Sequence, residues 1–243
     1  MEIAQVDIKL GDKKKNLDKI VEVIKNSDSD LILFPELFTT GFDLDDPSGL
    51  AEALRGETVK AITEVCGEKI IAGSVIEKEE DRIYNTFLLI TGEGVVGKYR
   101  KIHLFDVERD YFTAGSEVGV FNTRLGVIGL ATCYDLRFPE QFRRMLNAEV
   151  VLLCANFPKP RMDHWEVLIR GRAIENQCFM IAGNRVGRDC RHEYFGGSMI
   201  VDPWGSVLAL GSDREEFIKT GIDLRRVKEI RDKFPVLGDI KNI

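Results

Sequence analysis

A cysteine ends an apolar segment in the stretch Gly129–Glu140, GLATCYDLRFPE, and polar residues follow it directly. Cys133 is either a buried core thiol or a nucleophile presented at the end of a strand. Cysteine is among the most buried residue types, so the core interpretation explains the position without any chemistry. The nucleophilic interpretation requires a base, because the thiolate attacks and a free cysteine with a pKa of ~8.5 is mostly protonated at pH 7. The rest of the chain must then supply a group that takes the thiol proton.

Charged residues follow two further apolar segments. Glu36 comes two residues after the run LILF, where Pro35 stops strand pairing. A carboxylate is costly to bury at such a place unless a partner compensates its charge. Lys101 comes at a similar point of the segment YRKIHLF. Taken singly, Glu36 fits a solvated loop acid and Lys101 fits a surface lysine. Together with Cys133, each after an apolar strand, they favour one site.

The hydrophobic pattern predicts the strands and helices that must position these side chains. Apolar runs predict strands, and apolar residues spaced by three and four predict helices. The predicted strands include Leu31–Phe34, Gly126–Thr132, Val150–Cys154 and the segments IAQVDI, IIAGSVI, YNTFLLI, FMIAGNRV and GGSMIVDP. The predicted helices are Asn16–Asn26, Thr58–Cys66 and Trp165–Gln177.

The two halves of the chain repeat the same order of elements. IAGS at Ile71–Ser74 matches IAGN at Ile181–Asn184, and YNTFLLITGEGVV from Tyr84 matches FGGSMIVDPWGSV from Phe195. Chance similarity between two buried hairpins explains only the matching residues, whereas an internal duplication also explains why helices and strands follow in the same order in both halves. We therefore expect an α/β fold in which two pseudo-repeated halves form a four-layer αββα sandwich, with residues 1–243 as a single domain.

Composition excludes several classes of function. The chain has 243 residues, 44% of them hydrophobic, and a net charge of −6 with a pI near 5.3. A nucleic-acid-binding protein would need a basic face, and no apolar run approaches the ~18 residues of a membrane span. We see no signal peptide. The five cysteines contain no CxxC pair, so neither a disulfide framework nor a metal site is indicated, and we expect a cytoplasmic protein.

Three other motifs do not support a function. GEGVVG at Gly92–Gly97 fits a dinucleotide-binding pattern, but a strand-like segment follows it where a helix is required. GGSMI lacks the second glycine of a serine-hydrolase turn. His103 and His164 lie in apolar or aromatic company and fit structural histidines better than the base of a Cys–His pair.

The motifs FPELFTTGF, YRKIHLFD and CYDLRFPE resemble those of the nitrilase, or carbon–nitrogen hydrolase, superfamily. The resemblance runs from Ile3 to about Asp239 and implies an αββα fold that dimerises to αββααββα. It also implies a second glutamate, and by its spacing to Gly115 in ERDYFTAG the matching residue is Glu108. The alternative for Glu108 is a surface acid in a charged loop.

The chemistry of this family uses the three strand-end residues as one unit. The resemblance implies that Glu36 takes the thiol proton and that Lys101 stabilises the ionised site and then the oxyanion. The family implies that the backbone N–H of Tyr134 is a second oxyanion donor and that Glu108 holds Lys101. By the same resemblance, ammonia is expected to leave with a proton from Glu36 or through Lys101, and a water activated by Glu36 is expected to hydrolyse the thioester. Neither a metal nor an organic cofactor is required.

The remaining motifs are closer to the omega-amidase branch, which deamidates 2-oxoglutaramate and 2-oxosuccinamate. The segments NFPKPRMDHW, RAIENQ, AGNRVG, DPWG and IRDKFPVLGD resemble that branch. Such substrates carry a carboxylate, so a cation is expected near Cys133, with Arg137 as the first candidate and Arg161 as the second. The alternative for Arg137 is a structural salt bridge to Asp135 or Glu140. Alternative functions are an N-carbamoyl amino acid hydrolase, another small-amide hydrolase, or a non-catalytic relative that keeps the fold.

Overall fold

The computed structural model describes residues 1–42 and 47–241 of the chain. Two mixed sheets lie face to face and carry helices on their outer sides, which confirms the expected αββα sandwich. In spatial order, the first sheet contains β14 (Glu216–Lys219), β1 (Glu2–Gln5), β2 (Leu31–Leu33), β3 (Ile70–Glu79), β4 (Arg82–Thr91) and β5 (Gly94–Arg100). The second contains β13 (Val207–Leu210), β12 (Met199–Val201), β9 (Phe179–Asn184), β8 (Val150–Ala155), β7 (Gly126–Thr132) and β6 (Gly119–Thr123).

The remaining elements are a small hairpin and the helices. The hairpin is formed by β10 (Val186–Arg188) and β11 (Glu193–Phe195). The α-helices are α1 (Lys13–Asn26), α2 (Glu57–Cys66), α3 (Glu108–Tyr111), α4 (Pro139–Arg143), α5 (Met162–Asn176) and α6 (Arg225–Lys233). Short 3-10 turns span Cys133–Arg137, Lys159–Arg161 and Val236–Asp239. None of the helices in the described residues combines the length and apolar composition that a membrane-spanning helix needs.

Helix α1 shows how the sequence produces the outer layers. It begins after Asp12, whose side chain accepts the backbone N–H of Lys15 at 3.2 Å. Leu17, Ile20 and Ile24 follow at spacings of three and four and are all buried against the first sheet. The strands below are covered by this layer on one face and by the second sheet on the other, so they read as continuous apolar runs.

The same pairing pattern occurs in both sheets. β1, β2 and β3 run parallel, as do β7, β8 and β9, and the next two strands of each sheet run antiparallel. α1 and α2 connect the parallel strands of the first half, and α4 and α5 connect those of the second. The expected pseudo-repeat of the two halves is therefore confirmed.

The alignment of IAGS with IAGN, in contrast, is wrong by one residue. Ile71 packs beneath the helices of the first half, whereas Ile181 lies between the sheets. Ile181 pairs with Ile200, and in the first half Ala72 pairs with Leu89 in the same way. Ala72 also lies between the sheets, so it is the structural counterpart of Ile181. A shift of one residue moves every side chain of a strand to the opposite face. The alignment of the following hairpins puts Leu89 on Ile200 and is in phase.

Gly183 provides a test of the packing between the sheets. A Cβ atom at this position would lie 3.0 Å from Ile3 Cγ2 and 3.2 Å from Leu33 Cδ2 in the opposite sheet. We expect Gly183→Ala to lower the free energy of unfolding by about 1–3 kcal/mol, because overpacking forces neighbouring side chains out of their rotamers. Urea denaturation measures this change. Gly221→Ala is the control, since a Cβ atom there meets nothing within 4 Å. Equal stabilities of the two variants would contradict the close approach of the sheets.

Candidate active site

Three ionisable side chains from separate segments meet inside the protein. The Lys101 ammonium donates hydrogen bonds to Glu36 Oε1 at 2.8 Å and to the two carboxylate oxygens of Glu108 at 2.9 and 2.8 Å. None of the three side chains is more than 1% exposed. Ions at this depth persist only where opposite charge and hydrogen bonds compensate their lost hydration. The three groups thus form one buried ion cluster, the Glu36–Lys101–Glu108 cluster.

A tight turn after β2 positions the first member of this cluster. Glu36 follows Pro35 at the end of the strand, and the next residue, Leu37, adopts a φ of 47°. The Leu37 N–H donates to Ser74 Oγ of the neighbouring strand β3 at 2.9 Å. This bond fixes the turn, so that the Glu36 side chain is directed into the interior and not into solvent.

The other two members lie at the end of β5 and in α3. Lys101 directly follows β5, and its backbone N–H donates to the carbonyl of Asn85 in β4 at 2.9 Å. Glu108 is the first residue of α3, and its carboxylate accepts the backbone N–H of Phe105 at 2.6 Å. Glu108 is therefore a buried member of the ion cluster and not a surface acid of a charged loop.

Two further residues complete the hydrogen bonding of the carboxylates, and sequence analysis identified neither of them. Asn85 Nδ2 donates to Glu36 Oε1 at 2.8 Å and to Glu108 Oε1 at 3.3 Å. The backbone N–H of Asn156 donates to Glu36 Oε2 at 3.0 Å. The signal for Asn85 is an amide inside the otherwise apolar strand segment YNTFLLI, because a buried polar side chain requires a partner.

The charges in the cluster determine its protonation. Burial alone would lower the pKa of the Lys101 ammonium, but the carboxylates of Glu108 and Glu36 raise it well above its usual value. Burial raises the pKa of Glu108, and the nearby Lys101 ammonium opposes that shift. Lys101 is therefore a fixed cation at neutral pH.

Cys133 begins the 3-10 turn directly after β7. Its φ of 46° lies in the left-handed region, which costs a non-glycine residue about 1–3 kcal/mol and must be enforced by its surroundings. The side chain is partly exposed and lines the same cavity as Glu36 and Lys101. Burial, followed by the negative charge of Glu36, raises the pKa of the thiol well above its usual value, and the Lys101 charge only partly opposes this. The resting side chain is thus a neutral thiol at neutral pH.

The other four cysteines lie outside this cavity in the part of the chain that the structure describes. Cys66, Cys154 and Cys178 are buried, and Cys190 is exposed. Burial raises the pKa of the Cys154 thiol, which lies 3.8 Å from Thr132 Oγ1 inside the second sheet. Neither a buried inert thiol nor an exposed one outside the cavity combines access to a ligand with access to a base.

The carboxylate of Asp135 connects the end of β7 with the end of β5. It is fully buried and accepts the Thr132 N–H at 2.9 Å and the Tyr99 hydroxyl at 2.7 Å. It also accepts the His103 N–H at 3.1 Å, and His103 Nδ1 lies 2.8 Å from the same oxygen. Tyr99 and His103 flank Lys101 in sequence, so Asp135 fixes the turn that begins at Cys133 relative to the lysine. His103 accordingly has the structural role expected of it.

The cavity is small and partly aromatic. Its volume is about 210 Å³, below the ~300–1,000 Å³ typical of pockets for drug-sized ligands. Tyr134 lines it and packs edge-on against Phe105 and Phe138, at ring-centroid distances of 5.0 and 5.1 Å. The cavity therefore suits a small molecule.

Arginine side chains give one side of the cavity a positive charge. Arg137 lines the cavity, and its Nη2 lies 3.1 Å from His164 Nδ1. The alternative of a salt bridge to Asp135 or Glu140 is wrong: within residues 1–42 and 47–241, neither carboxylate pairs with Arg137, and Asp135 is occupied by the contacts described above.

Two further arginines line the same cavity. Arg161 lies with its guanidinium 4.7 Å above the ring of Phe105. Arg191, in the loop between β10 and β11, is exposed and was not identified from the sequence. No apolar periodicity or motif marks that loop, so only the folded hairpin reveals its position.

Comparisons with known proteins show which family the chain resembles. The family model described as carbon-nitrogen hydrolase matches residues 3–232. The chain is 38% identical to the 2-oxoglutaramate amidase of Bacillus subtilis (strain 168), over 98% of this chain and 95% of the relative. It is 34% identical to the omega-amidase YafV of Escherichia coli (strain K12), over 93% and 89% of the two chains.

A solved structure shows the same fold. It is a CN-hydrolase superfamily protein from Xanthomonas campestris with an arsenic adduct in the active site. Its TM-score is 0.93 at 32% identity, and the match covers 100% of this chain and 98% of that one. The family match, the full-length relatives and the shared architecture confirm the resemblance found in the three motifs. The chain belongs to the carbon-nitrogen hydrolase family.

Proposed function

We propose that the protein is an omega-amidase that hydrolyses the terminal amide of a small carboxylate-bearing substrate, such as 2-oxoglutaramate or 2-oxosuccinamate, to the acid and ammonia. The observation that carries the proposal is that Glu36, Lys101 and Cys133 line one small cavity together with arginines that have no carboxylate partner among the described residues. A thiol, a proton acceptor and a fixed cation suit amide hydrolysis through a thioester. The names of the Bacillus and Escherichia relatives support the choice of substrate.

The first half of the reaction forms the thioester. Glu36 takes the proton of the Cys133 thiol as the sulfur attacks the amide carbon. The oxyanion of the tetrahedral intermediate accepts hydrogen bonds from the Lys101 ammonium and the backbone N–H of Tyr134. Glu36 then returns the proton to the leaving nitrogen, the C–N bond breaks and ammonia departs. The raised pKa of Lys101 favours Glu36 over the lysine as this proton donor, because a fixed cation is a poor relay.

The second half hydrolyses the thioester. A water enters the place of ammonia, and Glu36 takes one of its protons as the oxygen attacks the thioester carbon. The same donors stabilise the second oxyanion, the C–S bond breaks, and the proton held by Glu36 returns to the Cys133 sulfur. Glu108 acts as a positioning residue, because both of its oxygens bond the Lys101 ammonium and one accepts the Phe105 N–H.

The proposal includes a homodimer in the cytoplasm. Val167 and Ile174 of α5 are 69% and 50% exposed, and Trp204 and Phe234 nearby are 55% exposed each. A contiguous apolar patch on the surface marks a site that another protein covers, and the rings of Trp204 and Phe234 lie 6.4 Å apart. All five cysteines are unpaired, as in a reducing compartment. Light scattering on the purified protein tests the dimer, and a monomer at micromolar concentration would overturn it.

The test of the function is ammonia release from a panel of 2-oxoglutaramate, succinamate, an N-carbamoyl amino acid and a nitrile. We expect the highest kcat/KM on 2-oxoglutaramate, because the arginines favour a small anion that carries a primary amide. Faster release from the N-carbamoyl amino acid would favour that alternative, and no release from any of the four would overturn the proposal.

Glu36 and Lys101 should act as one unit with Cys133. We expect Glu36→Gln and Lys101→Ala each to lower kcat by roughly 10³-fold or more, and the double variant to lose little beyond either, because parts of one catalytic unit are not additive. Steady-state kinetics on 2-oxoglutaramate measure the losses. Lys98→Ala, in β5 three residues before Lys101 and outside the cavity, is the control and should keep wild-type activity. Losses that multiply would contradict a shared role.

The charges around Cys133 should move its pKa in opposite directions. Glu36→Gln removes the carboxylate that raises the thiol pKa, so the pKa should fall, whereas Lys101→Gln removes the cation that lowers it, so the pKa should rise. The pH midpoint of Cys133 alkylation by iodoacetamide, followed by mass spectrometry in a Cys190→Ser background, measures both. Shifts of the same sign in the two variants would contradict the electrostatic account.

Arg137 should select the substrate carboxylate. Loss of one charged hydrogen-bonded pair costs about 1.5–3 kcal/mol, or roughly one to two decades in rate. We therefore expect Arg137→Ala to lower kcat/KM for 2-oxoglutaramate by that factor and to leave a neutral small amide nearly unaffected. Arg144→Ala, an exposed arginine beyond the same turn that does not line the cavity, is the control. Equal losses on both substrates would make Arg137 structural.

A further inference from the structure

The hairpin of residues 186–195, here called the β10–β11 arm, is separate from its sheet, whereas the corresponding part of the first half continues the sheet. There, β3 and β4 pair continuously from Ile71 and Ile90 to Glu79 and Arg82. In the second half, the pairing of β9 with β12 ends, and β10 pairs with β11 in a separate two-stranded unit. The duplicated hairpin is therefore bent away from its sheet in the half that also carries Cys133.

Two glycines build this bend into the chain. Gly196 and Gly197 have φ values of 66° and 64°, in the region that glycine adopts most easily. A Cβ atom at Gly196 would lie 2.5 Å from the carbonyl oxygen of Ser212, and one at Gly197 would lie 2.8 Å from the ring of Phe195. Both positions exclude larger residues, so the direction of the arm is fixed at its base.

Arg185 anchors the other side of the base. The side chain is fully buried, and its Nη2 donates to Asp7 Oδ1 and to the carbonyl of Ile8, both at 2.8 Å. Its guanidinium also lies 4.5 Å above the ring of Tyr194 in the arm. The arm is therefore held against the strand end of the first sheet and not left as a free loop.

Asp189 arranges the tip of the arm. Its carboxylate accepts the backbone N–H groups of Arg191 and His192, both at 2.8 Å, and the hydroxyl of Tyr194 at 2.7 Å. Burial alone would raise its pKa, but these hydrogen bonds outweigh that effect and lower it. An ionised Asp189 thus folds the tip so that Arg191 and His192 line the cavity of Cys133.

Arg191 differs from the neighbouring cations Arg188 and Lys159 in having no counter-charge among the described residues. Arg188 and Lys159 both pair with Glu193. Asp189 is occupied by backbone and hydroxyl donors. Across the part of the chain that the structure describes, no carboxylate lies within ion-pair distance of Arg191. A guanidinium held at the cavity without a partner is available to an anionic ligand.

We propose that Arg191 is a specificity-determining residue that binds the anionic end of the substrate at the mouth of the cavity, and that Asp189 is a positioning residue that acts through it. This inference rests on the proposed function and adds to Arg137 and Arg161 a third cation, which lies on a separate segment of the chain. Two guanidinium groups from separate segments fix the orientation of a short carboxylate better than one.

The test compares succinamate with its methyl ester, which keeps the amide and lacks the negative charge. We expect Arg191→Gln to raise KM for succinamate about three- to ten-fold, as for a partly exposed charged pair, with kcat within about two-fold and the ester unaffected. Arg191→Lys should restore part of the loss. Arg188→Gln, on the same arm but outside the cavity, is the control and should leave both substrates unchanged.

Asp189→Asn separates positioning from a general structural effect. It should raise KM for succinamate in the same direction, and the Arg191→Gln/Asp189→Asn double variant should be no worse than Arg191→Gln alone. The inference would be overturned if the increase in KM of the double variant were the product of the two single increases. It would also be overturned if Arg188→Gln raised KM as much as Arg191→Gln. If wild type prefers the acid and Arg191→Gln keeps the whole preference, the inference is wrong while the proposed function stands. If wild type hydrolyses the ester as well as the acid, the anion selectivity of the proposed function is itself wrong.

Discussion

The Lys101 ammonium, held between the carboxylates of Glu36 and Glu108, constrains the rest of the site. Removing one partner of a buried ion pair typically costs about 3–5 kcal/mol, because the remaining charge is left without compensation. The segment after β2, the end of β5 and the start of α3 must therefore meet at one point. The Asn156 N–H donates to the remaining oxygen, Glu36 Oε2, and Asn85 donates a second hydrogen bond to Glu36 Oε1. Asn156 follows β8 of the other sheet. The cluster thus connects both halves of the molecule.

The proposed nucleophile comes from the opposite half. Cys133 lies at the end of β7, and the left-handed conformation that presents it is held by the hydrogen bonds of Asp135 to Thr132, Tyr99 and His103. Glu36 and Lys101 belong to the first sheet and Cys133 to the second, so the sandwich itself sets their relative position. In a duplicated fold with two facing sheets, strand ends of both halves lie close together. The proposed chemistry depends on this proximity.

The sequence was informative where a residue with a reactive or ionisable side chain follows an apolar strand. Cys133, Glu36 and Lys101 could be found in this way, because burial of a polar group next to a core strand requires an explanation. The family resemblance then indicated Glu108, which lies within the buried cluster. Asn85 was missed because an amide in an apolar strand indicates burial but does not reveal the carboxylates that it bonds. Arg191 was missed because a charged loop gives no periodic signal. The IAGS alignment failed since letter identity carries no information about which face of a strand a residue occupies.

The most direct measurement is the mass and location of the covalent intermediate. Wild-type protein, quenched in acid during turnover of a slow amide substrate, should gain the mass of the acyl group, and peptide mapping should place it on Cys133. The Cys133→Ala variant should remain folded by circular dichroism and gain no mass. An acyl group on Cys154, Cys178 or Cys190, or turnover by Cys133→Ala at the wild-type rate, would contradict the account.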